Sequence, residues 1–279
     1  MRAFVVTAGV HEVEAASGVL WGIGVRAIEE RAGDDDERVE LWTSVGDEEE
    51  AIERAVGALQ GRWDHRVVDV AEVDAAASQR WREFASPMWV DDQLVVVPAW
   101  QEAPTAATAV RVEPGAAFGL GDHPTTLTSL RALVRLLRRG EGAVDVIDVG
   151  CGTGVIAVTA AVLLDRPVRA IDVASAAVES TIDNARRNGV EHLVEVDAAP
   201  LADIDGDFDV VVANILAPVL VALADDLRRV TRPDGRLVIS GILGGSHQHV
   251  IDALAPMQVV STEVLDGWAC VELRHAEGP

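Results

Sequence analysis

Two kinds of hydrophobic patterning divide the chain. Through its first quarter, short apolar runs are separated by polar, helix-like stretches: RAFVVT from Arg2, a helical segment from His11 to about Trp21, an extended run from Val25 to Glu30, and another from Arg38 to Thr43 after the acidic turn GDDDE. DEEEAIERAVGALQ from Asp47 then places apolar residues at helical spacing behind an acidic first turn, and HRVVDV closes the region near Val70. The order β, α, β, β, α, β predicts a small ferredoxin-like α+β domain over residues 1–73. A connecting helix and linker are expected over 74–92, starting with DAAASQRWREF from Asp74 to Phe84, before strands near Leu94 to Val97 and Ala109 to Val112.

From about Pro124 helices alternate with short, continuously apolar strands, the pattern of a mostly parallel sheet covered on both faces. Strands are expected at Val144 to Val149, Val168 to Asp172, Leu193 to Val196, Phe208 to Ala213, Arg236 to Ser240, Gln258 to Glu263 and Trp268 to Leu273. A short VLDG turn joins the last two, so the final strand should run antiparallel. Seven strands ending in a hairpin suit a methyltransferase sheet better than a dinucleotide dehydrogenase, and the second domain is expected over 93–279.

Composition narrows the classes. A 49% hydrophobic, 25% charged chain is expected to pack a core. Its longest apolar run, FDVVVANILAPVLVALA, is broken by Asn214 and Pro218 and makes no clean bilayer span. No signal-peptide pattern opens the sequence, so a cytoplasmic location and no membrane partner are expected. Cys151 and Cys270 are too few and too far apart for a disulfide framework or a metal site. The net charge of −23 argues against gripping nucleic acid through phosphates and suits a basic protein partner. A compositional bias of the source explains the acidity equally well, and the absence of lysine from the sequence points the same way.

Candidate chemistry centres on VIDVGCGTGVIAV, Val146 to Val158, a strand, a glycine turn and a helix. Gly150, Gly152 and Gly154 give GxGxG, and Val155 stands where the nicotinamide fingerprint requires its third glycine. Asp148 just before the turn would repel a pyrophosphate and attract a cation. S-adenosylmethionine (AdoMet), with a sulfonium, an ammonium and no phosphate, meets that requirement. Asp172, at the end of the next strand, is placed to accept hydrogen bonds from both ribose hydroxyls, with Ser175 better placed to cap the following helix. Asp197, near the end of the third strand, could approach an adenine amino group. Asn214 ends the fourth, where its side-chain carbonyl can accept a hydrogen bond from an incoming amine. A nucleotide-binding Rossmann protein, oxidoreductase or catalytically silent, remains the alternative from a different class. A nucleic-acid methyltransferase is disfavoured because NILA lacks the paired prolines and aromatic of that motif.

AFGLGDHPTT, VIDVGCGTGVIAV, ANILA and SGIL (Ser240 to Leu243) occur in the order and spacing of the PrmA family, and the chain resembles these lysine methyltransferases of ribosomal protein L11 most densely from about Trp81 to Gly245. The resemblance implies a seven-stranded Rossmann-like class I methyltransferase domain preceded by the ferredoxin-like domain. It implies AdoMet as cofactor, with contacts from Thr126, Gly150, Asp172 and Asn214. It also implies an amino-terminal domain that binds L11, free rather than on the ribosome, and swings it towards the active site. On this reading Asn214 and the backbone around Ile215 and Leu216 orient the amine, while Phe118 excludes water and Phe118 to Gly121 form a flap over the donor. His123 is expected to position this loop. Leu120, where the family usually has threonine, and Asp122 depart from the pattern. A related lysine methyltransferase acting on another protein, such as an electron-transfer flavoprotein subunit, shares this catalytic half.

Overall fold

The computed structural model describes residues 2–23, 25, 28–33, 37–45, 48–69, 85–113, 123–139, 144–245 and 247–276. The chain divides into two compact units, Met1–Phe84 and Ala85–Pro279.

In the first unit, β1 (Arg2–Gly9), α1 (Val13–Gly22), β2 (Ile28–Ala32), β3 (Arg38–Thr43), α2 (Glu49–Leu59) and β4 (Asp64–Asp69) follow one another as the sequence predicts. They build an antiparallel sheet of order β2-β3-β1-β4. Residues on one face of a strand alternate, and those on one face of a helix recur every three or four positions. Phe4, Val6 and Leu41 therefore meet Ala16 and Leu20 of α1 and Ala55 and Leu59 of α2 in one core. The second strand begins at Ile28 rather than at the expected Val25, because the Val25 N–H turns back to the Leu20 carbonyl and closes the end of α1. On this sheet Trp42 lies under the guanidinium of Arg31 at 4.0 Å, and Glu40 accepts hydrogen bonds from Trp42 Nε1 (2.9 Å) and Arg66 (2.8 Å). The Arg66 bond, then the indole bond, hold the Glu40 carboxyl below the usual range. The connecting helix expected over Asp74 to Phe84 lies outside the described residues.

The second unit opens with a small sheet in which β6 (Leu94–Pro98), buried throughout, pairs antiparallel with β5 (Met88–Trp89) and parallel with β7 (Thr108–Val112). Its main sheet comprises β8 (Val146–Val149), β9 (Val168–Ile171), β10 (Val194–Asp197), β11 (Phe208–Asn214), β12 (Thr231–Leu243), β13 (Gln258–Leu265) and β14 (Trp268–Arg274), in the order β10-β9-β8-β11-β12-β14-β13. β14 is antiparallel to both neighbours, as the hairpin predicts. β12 starts five residues earlier than expected. Gly235 permits this, since a Cβ there would come within 2.9 Å of the Phe208 carbonyl oxygen on the adjoining strand.

The helices are α3 (Pro124–Arg139), α4 (Val155–Leu164), α5 (Ser175–Arg187), α6 (Ala217–Ala222), α7 (Ala224–Val230) and α8 (Gln248–Ala253). α3 has proline pre-set for its first turn and two arginines at its carboxyl end, where they complement the helix dipole. One core packs α3 and α4 with the small sheet against one face of the main sheet, and a second packs α6, α7 and α8 against the other. With both faces covered, strands such as β8 are buried at every position. Among the described residues no helix is long and apolar enough to cross a membrane.

Candidate active site

Strand order places β9 and β10 on one side of β8, and β11 and β12 on the other. Where connections diverge in this way, the crevice at the carboxyl ends of the strands is the place for a ligand. Gly150, Asp172, Asp197 and Asn214 all stand at such ends.

The turn after β8 has a fixed shape. Gly150, Gly152 and Gly154 take φ of 73°, 56° and 76°, which favour glycine. The N–H groups of Gly150 and Cys151 both reach the Ile171 carbonyl (2.8 and 3.0 Å), and the Gly154 N–H returns to Cys151 O (2.7 Å) before α4 begins. At Gly150 an added Cβ would stand 2.3 Å from Ile215 Cγ2, and one at Gly241 would stand 2.5 Å from the Ile215 carbonyl oxygen. Ile215 is thus held between two glycines, and its N–H bonds to Ser240 O (3.2 Å). This explains why SGIL belongs with ANILA: the residues after Ser240 make room for the segment that carries Asn214.

Asp148 is 1% exposed beneath the turn. Its Oδ2 accepts the Ala157 N–H (3.1 Å), while Oδ1 is buried with no hydrogen-bond partner among the described residues. Burial, and then the charge of Asp172, push its carboxyl up to about 7. A buried acceptor without a donor is an open position for a cation or an N–H group. Burial, then the Asp148 charge, likewise push the Cys151 thiol up, so it stays protonated.

Asp172 joins the two turns. Its Oδ2 accepts the Gly152 N–H (3.0 Å) and Oδ1 the Ala174 N–H (2.9 Å), which leaves lone pairs on both oxygens. Ser175 is the first residue of α5 rather than its cap, and Asp172 orders the approach to that helix instead. Asp197 bonds the Ala199 N–H (2.9 Å) and pairs with Arg169, and those two interactions, in that order, hold its carboxyl low. Asn214 is half-buried, and its side-chain amide has no partner among the described residues. Thr126 is buried in the first turn of α3. Just before it, His123 Nδ1 meets Thr125 Oγ1 (2.8 Å) and accepts the Thr125 N–H (3.3 Å), and the ring packs edge-on against Trp268. These contacts fix the ring at the start of α3, while the loop it is expected to position lies outside the described residues. Phe118, Leu120 and Asp122, and with them the expected flap, lie outside the described residues.

Two supports escaped the sequence reading. Thr181 donates to Gly152 O (3.2 Å) and Asn184 to Thr153 O (2.9 Å), both from the buried face of α5. The available signal was polar residues at i and i+3 on the inward face of an amphipathic helix.

Residues 16–276 match the family described as ribosomal protein L11 methyltransferase (PrmA). The chain is 38% identical over 216 residues to the ribosomal protein L11 methyltransferase of Exiguobacterium sp., covering 76% of this chain and 68% of that one. It is 38% identical over 246 residues to the same-named protein of Symbiobacterium thermophilum, covering 86% and 77%. A crystal structure of ribosomal protein L11 methylase from Lactobacillus delbrueckii subsp. bulgaricus superposes with a TM-score of 0.62 at 29% identity, over 69% of this chain and 100% of the other.

Proposed function

The chain belongs to the PrmA family of ribosomal protein L11 methyltransferases, and from that membership we propose that it transfers methyl groups from AdoMet to lysine amino groups of ribosomal protein L11. The observation that carries this reading is Asn214. It is a half-buried amide without a partner among the described residues, at the carboxyl end of β11, on a segment packed against the glycine turn.

The residues present fit the cofactor. Asp148, whose buried Oδ1 has no partner among the described residues, suits an ammonium. Asp172 retains lone pairs for two ribose hydroxyls. Gly150 and Gly152, both at positive φ, hold the turn in a tight shape that lets the ligand approach its backbone. Asp197 and Thr126 complete the adenosine and methionine ends respectively. When bound, AdoMet supplies an already activated methyl group, so the protein has mainly to orient and to desolvate.

A free lysine, with a reference pKa of about 10.4, is protonated at neutral pH and has no lone pair for attack. Burial of the amine beside a sulfonium lowers that value through desolvation and like charge, so no strong general base is needed. Asn214 accepts a hydrogen bond from the amine through its side-chain oxygen, and the backbone at Ile215 and Leu216 fixes the direction of approach.

We assign L11 recognition to residues 1–73, whose acidity suits a basic protein, with 74–92 as connector and 93–279 as the catalytic domain. The substrate is taken free in the cytoplasm, without direct contact to nucleic acid.

The test is peptide mass spectrometry of L11 from the same source after incubation with protein and AdoMet. Because the chain contains no lysine, every methyl-lysine found belongs to the substrate. Methyl groups found only on side chains other than lysine would overturn the lysine assignment. Modification of an electron-transfer flavoprotein subunit in place of L11 would move the substrate while keeping the chemistry.

A further inference from the structure

Asn184 of α5 is fully buried. Its Oδ1 accepts the Glu113 N–H (2.8 Å), and its Nδ2 donates to Glu113 O (2.9 Å) and to Thr153 O (2.9 Å). One turn later, Asn188 treats Arg111 in the same way: Oδ1 accepts the N–H (2.8 Å) and Nδ2 donates to the carbonyl (2.8 Å). Two carboxamides four residues apart thus stand in for a neighbouring strand along β7 and the residue after it. They differ in their remaining proton. Asn188 returns it to Asn184 O within the same helix (2.8 Å), whereas Asn184 sends it into the glycine turn. Thr181, one turn before Asn184, holds the adjacent carbonyl of Gly152 (3.2 Å) and places Cγ2 where a Cβ at Gly154 would fall.

We propose that Asn184 is a positioning residue that locks the shape of the cofactor turn to the exit of β7, so that AdoMet affinity depends on a side chain buried behind the site. The inference rests on the glycine turn being the AdoMet site. Without Asn184 the Thr153 carbonyl loses that hydrogen bond, and the turn loses its link to β7. Asn188 supplies a built-in control, because its loss also loosens β7 but leaves the turn's bonds intact.

The experiment compares wild type, Asn184→Ala, Asn188→Ala and Thr181→Val by calorimetry with AdoMet, by thermal unfolding without it, and by steady-state kinetics with L11. Asn184→Ala is expected to raise the Kd for AdoMet roughly tenfold, the scale of one buried hydrogen bond lost behind the turn, with the KM for L11 changed less than about twofold. Asn188→Ala should lower the unfolding temperature similarly yet leave the AdoMet Kd within about twofold of wild type. If Asn184→Ala does not fold, Thr181→Val reads the same backing and should raise the Kd severalfold. Equal effects of the two asparagine variants on Kd, or an unchanged Kd in Asn184→Ala or Thr181→Val, overturn the proposal. A wild type that binds no AdoMet overturns the cofactor assignment itself, an outcome distinct from the others because in each of those the wild type binds.

Discussion

The two ends of the main sheet share the same strands and are built on opposite principles. At the amino ends, Arg232 is gripped by Asp145 (2.8 Å), Asp207 (3.0 Å) and Asp209 (2.6 Å), and Asp209 also accepts the Asp145 N–H (2.7 Å). Those bonds hold the guanidinium firmly protonated, Asp209 contributing most. The groups are partly exposed, so water and salt screen each pair and stand ready to replace any one of them. At the carboxyl ends the reverse holds. Four glycines, Gly150, Gly152, Gly154 and Gly241, lie at positive φ, a buried carboxylate has an oxygen without a partner among the described residues, and Ile215 fits between two of those glycines with no room for a methyl group. One end is redundant and tolerant of change. The other has a single arrangement, and that rigidity is what orientation-based catalysis requires.

Replacing Gly150 with alanine tests the intolerant end most severely. It adds a Cβ 2.3 Å from Ile215 Cγ2 at a residue with φ of 73°. A loss of about 2–4 kcal/mol in urea unfolding, together with loss of AdoMet binding, is expected from strain and overpacking combined. Binding and stability like the wild type would mean that the turn is far softer than its geometry implies.

Asn214→Ala removes the amide without disturbing the turn. Turnover should fall by about a hundredfold or more, the scale of lost orientation, with AdoMet affinity within roughly threefold of wild type. Steady-state kinetics beside calorimetry separates the two effects, and unchanged turnover would remove Asn214 from the mechanism.

These residues also show how far the sequence could be read. GxGxG, Asp172 and Asn214 were legible because glycine in a turn and polar residues at strand ends leave local marks. The seven strands and the antiparallel β14 followed from short continuous apolar runs and a short turn, whereas the strand order came only from the structure. The environment of Asp148 was not legible, since its burial depends on how the sheet is covered and the nearby charge comes from Asp172 on the next strand's end. Neither was the backing by Thr181 and Asn184, because a helix's inward face is known only once its partner is. The extra length of β12 depends on Gly235 meeting Phe208, a tertiary contact.

Asp148 gives the next contrast in size, through pH. Its carboxyl ionises near 7 in the folded protein and near 4, about 3.9, in the unfolded chain. The folded state therefore binds the extra proton, and stability is lost as pH rises from about 4 through about 7. Asp148→Asn, neutral throughout, should make the ligand-free protein more stable at pH 8 by on the order of 1–4 kcal/mol, with the advantage shrinking towards pH 4. AdoMet affinity of the wild type should rise between pH 6 and 8 as the carboxylate forms opposite the ligand's ammonium, and that rise should be absent in Asp148→Asn. Titration calorimetry across this range checks both slopes, and a flat wild-type profile would exclude an ammonium beside Asp148.

The smallest effect belongs to the tolerant end. Arg232→Ala should cost no more than about 1–2 kcal/mol in urea unfolding, less at high salt, and leave methyl transfer unaltered. A loss of activity there would erase the distinction between the two ends.

The most direct test of the whole account is transfer of labelled methyl groups from AdoMet to purified L11, measured for wild type and Asn214→Ala side by side. Label on L11 with the wild type and a loss of about a hundredfold with the variant are the predicted results. Wild-type protein that binds AdoMet but leaves L11 unlabelled, or a variant that labels it as fast, would contradict it.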